Sequence, residues 1–285
     1  MKNFTKDEAY NAKHLVAEGV WRMQNIFVNL YMVENEIDGT WVLVDTGLPI
    51  AAPKIKYMAA KLFGEDSKPT AIVLTHGHFD HTGSVKKLAE EWRVPVYAHY
   101  MEKPYLTGMS SYPPADPSVG GGLMARTSWI YPIKPIDISE HLAILPIDSS
   151  IPPMPEWAYV HTPGYAPGHV SLFRPNDKTL IVGDAFLTAK QETVVGTFIQ
   201  PKTITGPPTH FSYDWIAAAK SVRTLAALQP EIALTGHGKP MRGQELHTKL
   251  QWLAKNFEAV AVPKKGKYIN QPALVNEKGV QLVPD

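Results

Sequence analysis

Four side chains able to bind a metal crowd into six residues of this chain, His76, His78, Asp80 and His81 within Thr75-His76-Gly77-His78-Phe79-Asp80-His81. They follow directly on the apolar run Ala71-Ile72-Val73-Leu74, which reads as a buried strand. In the loop after a strand, histidines at i and i+2 can be directed at one point while the next pair of ligands faces a second. The fold must therefore open the end of this strand onto further ligands from elsewhere. A chance polar loop rarely carries such a density of donors. The chain has no cysteine, which excludes disulfides, thiolate ligands and a cysteine nucleophile, so any metal site is built from nitrogen and oxygen.

Apolar residues at 44% and charged residues at 19% suit a chain that folds by itself. Its 285 residues would allow two domains, but layered enzymes of this size often fold as one, and the expectation is a single domain over 1–285. Lys and Arg number 28 against 27 Asp and Glu, with no basic run of the kind that tracks nucleic acid. No segment approaches the ~20 apolar residues that span a bilayer. The N-terminus, Met1-Lys2-Asn3-Phe4-Thr5-Lys6-Asp7-Glu8, lacks the apolar stretch of a secretory signal. The expectation is a cytoplasmic protein, monomer or homodimer, that acts on a small molecule, with neither nucleic acid nor membrane as partner.

The runs Ile26 to Val33 and Trp41 to Asp45, joined across Asp38-Gly39, read as a hairpin, and a helix is expected from about Ala51 to Phe63. A helix over Gly83 to Trp92 and a strand over Val94 to Ala98 follow. Residues 104–155 are rich in Pro, Gly and Ser and hold little periodicity; they read as a long insertion, either a lid or an irregular surface loop. Strands resume at Trp157 to His161, Val170 to Phe173, Thr179 to Val182 and from Ile232. Trp215 to Leu228 reads as an amphipathic helix with Ile216, Ala219, Val222, Leu225 and Ala226 on its apolar side. Two strand-rich halves with helices imply an α+β fold, sheet on sheet with helices outside.

The segment Thr75 to Gly83 resembles the HxHxDH motif of the metallo-β-lactamase superfamily. Its other motifs follow in order: Asp45-Thr46-Gly47 is similar to the early aspartate motif, Gly183-Asp184-Ala185 to the bridging aspartate and Thr235-Gly236-His237-Gly238 to the last histidine. The resemblance covers about residues 25–240 and implies a four-layer αβ/βα sandwich with the metal site at one edge. It also implies that His76 and His78 bind a first metal, that Asp80, His81 and His237 bind a second, and that Asp184 bridges them. Asp45 would orient a ligand histidine. Zinc is the default for such donors, one or two ions, and iron or manganese suit them as well.

One position departs from that pattern. Where the family usually carries the remaining first-metal histidine, the segment His161-Thr162-Pro163-Gly164-Tyr165-Ala166-Pro167-Gly168-His169 has tyrosine. Three readings stand: the Tyr165 phenol ligates the metal with a lowered pKa, the first site is weakened or empty, or His169 or His161 swings in. His169 matches the family's later histidine, four residues on.

Two cations ~3.5 to 4 Å apart share a hydroxide and polarise a carbonyl, which points to a metal-dependent hydrolase that turns a metal-bound hydroxide on an ester, lactone or related acyl bond. Asp80 then has two candidate jobs, ligand and proton acceptor for the leaving group, and Tyr165 is the other catalytic candidate. The rival readings are a thioesterase of glyoxalase II type and a non-hydrolytic metal-binding or redox protein. Met101, Tyr105, Met109, Tyr112, Met124, Trp129 and Tyr131 suggest an apolar acyl pocket, or merely pack the insertion down. His99, His141, His210 and His247 have no partner at ligand spacing and are expected to be structural or exposed, although His210 and Phe211 are also candidates to line the pocket. Gly120-Gly121-Gly122 lacks the context of a phosphate loop.

Overall fold

Alternate residues along the apolar runs point to opposite sides of two sheets, and both sides are covered, which is why the strands read as nearly unbroken hydrophobic stretches. The computed structural model describes residues 6–119, 127–128, 131–189 and 203–284. Gly120 to Gly122, Met124 and Trp129 lie outside the described residues.

The first sheet follows the chain: β1 (Leu15–Ala17), β2 (Val20–Asn25), β3 (Val28–Glu34), β4 (Trp41–Val44), β5 (Ala71–Val73), β6 (Val96–Ala98) and β7 (Leu142–Ile144). It is antiparallel as far as β4 and parallel from β4 to β7. The second sheet also keeps chain order, with β8 (Ala158–His161), β9 (Val170–Arg174), β10 (Thr179–Gly183), β11 (Ile232–Thr235) and β12 (Met241–Arg242), and only the β10 and β11 pair is parallel. A small hairpin, β13 (Leu274–Asn276) and β14 (Gly279–Leu282), stands apart. Among the described residues the helices are α1 (Lys6–His14), α2 (Ala52–Phe63), α3 (Phe79–Thr82), α4 (Val85–Trp92), α5 (Lys103–Leu106), α6 (Trp215–Ala227) and α7 (Gly243–Val260).

Three apolar layers separate four structural ones. Leu30, Met32, Leu43 and Ile72 meet Ile55 and Met58 of α2 and Val85 and Leu88 of α4. Their strand neighbours Tyr31, Val33, Val42, Val44 and Val73 face instead Leu172, Ile181 and Leu234 of the second sheet. On the far side Leu180, Val182 and Ala233 pack against Val222 and Leu225 of α6 and Leu250 and Phe257 of α7. The fold is thus α+β, a helix, sheet, sheet, helix sandwich, and each fully buried Leu or Ile contributes roughly 1.5–3 kcal/mol to it.

One detail of the sequence reading is corrected. Ile216 is 80% exposed, and α6 buries Trp215, Ala218 and Ala219 in its first turns, because the face set by Val222 and Leu225 leads back to those positions and not to 216. Two features bear on the 104–155 stretch: it opens on α5, and Leu142–Ile144 within it adds parallel to β6 as an edge strand. Among the described residues no helix is long and apolar enough to cross a membrane.

The sandwich aligns several strand ends on one rim. Asp45 follows β4, the histidine run follows β5, Asp184 follows β10 and His237 follows β11. Cross-sheet bonds fasten that rim: Val170 N–H donates to Thr75 O at 2.9 Å, and Asn29 N–H donates to Gly236 O at 2.7 Å.

Candidate metal centre

The short helix Phe79–Thr82 begins inside the histidine run, so the chain turns immediately after β5 and folds Asp80 and His81 back toward the strand end. His76, His81 and Asp184 each present one ligand atom within 4.8 Å of the others, and so do Asp80, His81 and His237. All five residues are buried. His237 Nε2 lies 3.2 Å from Asp184 Oδ2 and 3.4 Å from Asp80 Oδ2, and His81 Nε2 lies 3.6 Å from Asp184 Oδ2. Gly236 makes this possible, since a Cβ there would collide with Asp184 Oδ1.

The outer ring atoms are anchored. Asp45, in the left-handed region at φ 61°, places Oδ2 2.8 Å from His81 Nδ1 and accepts the Thr75 N–H and hydroxyl, both at 2.8 Å. His76 Nδ1 sits 3.0 Å from Thr75 Oγ1, and His237 Nδ1 sits 3.0 Å from Phe27 O. The loop that carries His237 is in turn held by Asn29, whose side-chain amide donates to Thr235 O and Gly238 O, and by the Tyr31 hydroxyl on Thr235 O. Each imidazole is thereby turned so that its other nitrogen faces inward.

Those inward atoms fit a metal. His76 Nε2, His78 Nδ1, His81 Nε2 and both Asp184 carboxylate oxygens are buried with no hydrogen-bond partner among the described residues. Buried polar atoms left unpaired are costly, and neutral imidazole with carboxylate is the donor set for a divalent cation. The charges agree. Burial lowers the pKa of His81 and His237, but Asp184 with its fellow carboxylates outweighs that and holds both above the usual value. Burial raises Asp184, yet His237 and His81 hold it well below the carboxylate range.

His78 belongs to neither group of convergent donors. Its ring lies 4.6 Å from that of Tyr165, 4.5 Å from Tyr112 and 5.2 Å from Phe211. Tyr165 is buried, with its ring also 5.2 Å from His76. Burial, then Asp184 and Asp80, push its phenol well above the ordinary value. The two nearby histidines are committed elsewhere: His169 Nε2 accepts the Asp184 N–H at 2.8 Å while Nδ1 meets Thr162 Oγ1, and His161 bonds Pro167 O and stacks on His99 at 4.1 Å. Neither is free to take the place of Tyr165.

Aromatic groups wall the centre. Phe79 stacks on Tyr131 at 5.8 Å, Tyr131 adjoins His210 and Phe211, and Phe27 stacks on His237 at 5.9 Å. His210 is pushed down to about 4, by burial and then by His237, which places it beside the cluster. Of the other insertion residues, Tyr105 and Tyr112 stack on each other at 4.0 Å while Met109 is exposed. His247 sits 3.6 Å from Glu231, far from this rim in the fold. Sequence reasoning passed over Phe27 and Glu102, a buried acid that joins the loops beneath the centre and that no motif marks.

A sequence profile described as the Metallo-beta-lactamase superfamily matches residues 24–237. The "Probable metallo-hydrolase YflN" of Bacillus subtilis (strain 168) is 42% identical over 245 residues, 86% of this chain and 93% of that one. The "Probable metallo-hydrolase YybB" of the same organism is 30% identical over 197 residues, 69% of this chain and 75% of that one. The crystal structure of the BLEG-1 B3 metallo-beta-lactamase superposes with a TM-score of 0.54 at 26% identity and covers 81% of this chain and 97% of that one.

Proposed function

The chain belongs to the metallo-beta-lactamase superfamily, and from that premise we propose that it hydrolyses an ester, lactone or related acyl bond of a small molecule, with divalent metal held at the rim where its two sheets meet. The observation that carries this reading is the set of buried nitrogen and carboxylate atoms on His76, His81 and Asp184 that converge within 4.8 Å and have no hydrogen-bond partner among the described residues. Asp80, His81, His237 and Asp184 would hold one ion, and His76 and His78 are the remaining nitrogen donors toward a first-site ion. The chemistry that a divalent ion would supply when bound by these residues is a water of lowered pKa and a polarised carbonyl.

The chain's own groups do the rest. Asp45 fixes the ring of His81, and Phe27 O fixes that of His237, so neither imidazole has to reorganise. Asp80 Oδ2, 3.4 Å from His237 Nε2, stands at the same rim, where it would serve as ligand and is also the carboxylate placed to take a proton for the leaving group. Phe79, Tyr131 and Phe211 offer flat apolar surface for the acyl part of the substrate, which favours esters and lactones with apolar chains. The Tyr165 ring stands beside His76 and His78, and burial, Asp184 and Asp80 all oppose loss of its phenol proton, so on this reading a first-site ion would rest on His76 and His78 and be held weakly.

The test is a panel of lactones, aryl esters and thioesters assayed with zinc-, iron- and manganese-loaded protein beside His81→Ala and Asp184→Asn. Both variants should lose about 100-fold or more of kcat/KM, more than the loss typical of outer hydrogen-bond partners. Undiminished hydrolysis in either variant sinks the metal-dependent mechanism; turnover confined to thioesters moves the substrate class.

A further inference from the structure

Glu102 ends the 3-10 turn Tyr100–Glu102 and is fully buried, yet the hydrolytic reading makes no use of it. Its Oε2 accepts the Gly77 N–H at 2.8 Å and a short bond from the Tyr112 hydroxyl, and its Oε1 accepts the Gly168 N–H at 2.6 Å. Each of those donors sits at a telling place. Gly77 separates His76 from His78. Gly168 precedes His169, whose Nε2 receives the Asp184 N–H, and it closes the turn that carries Tyr165. The Tyr112 ring lies 4.5 Å from His78, and its hydroxyl is also within 2.9 Å of Gly77 N. The approach is close on both sides: a Cβ at Gly168 would stand 2.7 Å from Glu102 Cγ, and one at Gly77 would stand 3.1 Å from Oε2.

We propose that Glu102 is a positioning residue of the metal centre, a single buried carboxylate that fixes the His76–His78 turn relative to the Tyr165–His169 turn and to Tyr112. The inference rests on the metal-dependent reading for the identity of its ligand, and on hydrogen-bond geometry for everything else. In its ionised form Glu102 only accepts, the two N–H groups only donate, and the Tyr112 hydroxyl donates to Glu102 while accepting from Gly77. A glutamine has one oxygen. Turned one way, its NH2 opposes the Gly168 N–H, which loses its acceptor; turned the other way, it opposes the Gly77 N–H, which keeps only the Tyr112 hydroxyl, so one of the two turns loses its tie to residue 102. Because the two turns deliver neighbouring groups to one centre, loosening either spreads the donors that a cation must find already gathered.

The experiment is a cobalt(II) titration of metal-depleted protein against a competing chelator, with the visible absorption of the bound cobalt recorded, for wild type, Glu102→Gln and Tyr112→Phe. Glu102→Gln should weaken cobalt binding about 10- to 100-fold and alter the band shape, as loss of an outer partner does elsewhere. Tyr112→Phe keeps both N–H bonds and should weaken it less. Unchanged affinity with an unchanged spectrum in Glu102→Gln overturns the proposal. If that variant does not fold, Tyr112→Phe decides: a several-fold loss or a changed spectrum supports the role, and identity with wild type overturns it. A wild type that binds no cobalt overturns the metal-dependent reading itself, a failure distinct from an unaffected variant.

Discussion

At Tyr165 the chain offers a phenol where a neutral imidazole would bring a ready lone pair. A phenol near its ordinary pKa of about 10 must lose a proton before it can ligate, and here burial, Asp184 and Asp80 all oppose that loss. Substitution by histidine removes the proton problem and adds a third nitrogen beside His76 and His78. Wild type should therefore retain about one ion per chain after dialysis, and Tyr165→His about two, counted by elemental analysis. Two ions in the wild type would mean that the phenol ligates after all. Residues of this kind were legible in the sequence because they are dense or stand in motif order: His76, His78, Asp80 and His81 share one loop, and Asp45, Asp184 and His237 follow in register. Glu102 was not, because its three partners come from backbone N–H groups and one tyrosine, and backbone donors leave no mark in the amino-acid letters.

Elements were legible where burial is two-sided. β4 and β5 are apolar throughout, β3 and β10 are nearly so, with Asn29, Glu34 and Thr179 as their polar members, and helices α2 and α4 show their stripe at helical spacing. β2 was missed because Arg22 and Gln24 interrupt Val20, Trp21 and Met23, and so short an alternation does not stand out from loop. Helix α7 lies past the last motif, although Leu246, Leu250, Leu253 and Phe257 do recur on one face. The apolar side of α6 was turned slightly too far, and that error makes a stability prediction. Ile55 is fully buried under the first sheet, so Ile55→Ala should cost about 2–5 kcal/mol. Ile216→Ala, at an 80% exposed position, should stay within about 0.5 kcal/mol of wild type. Urea unfolding of the two variants distinguishes this face from the one the sequence suggested; a large loss at Ile216 would contradict it.

Across the whole molecule, gathering donors in a dry rim sets how stability responds to pH. Burial holds six imidazoles, those of His76, His78, His99, His161, His169 and His210, below their ordinary pKa. His81 and His237 go the other way, because Asp184 outweighs their burial. Glu102, raised to about 7 by burial, also binds its proton more tightly when folded. A group with a depressed folded pKa contributes stability that is present above its unfolded value, near 6.5 for histidine, and lost as the pH falls toward its folded value. A group with a raised pKa does the reverse, and its contribution is lost as the pH rises. Six depressed imidazoles outnumber the four raised groups about the rim, His81, His237, Glu102 and Asp80, so below pH 6.5 the unfolded chain takes up more protons than the folded one. Each net proton is worth about 1.4 kcal/mol per pH unit. The thermal midpoint of chelator-treated protein should accordingly be flat near pH 7.5 and fall between pH 6.5 and 5. Added zinc should raise the midpoint far more at pH 7.5 than at pH 5, since at acid pH it must displace protons that His81 and His237 hold above the usual histidine range. A midpoint that rises on acidification would mean that the carboxylates, and not the buried histidines, govern the rim.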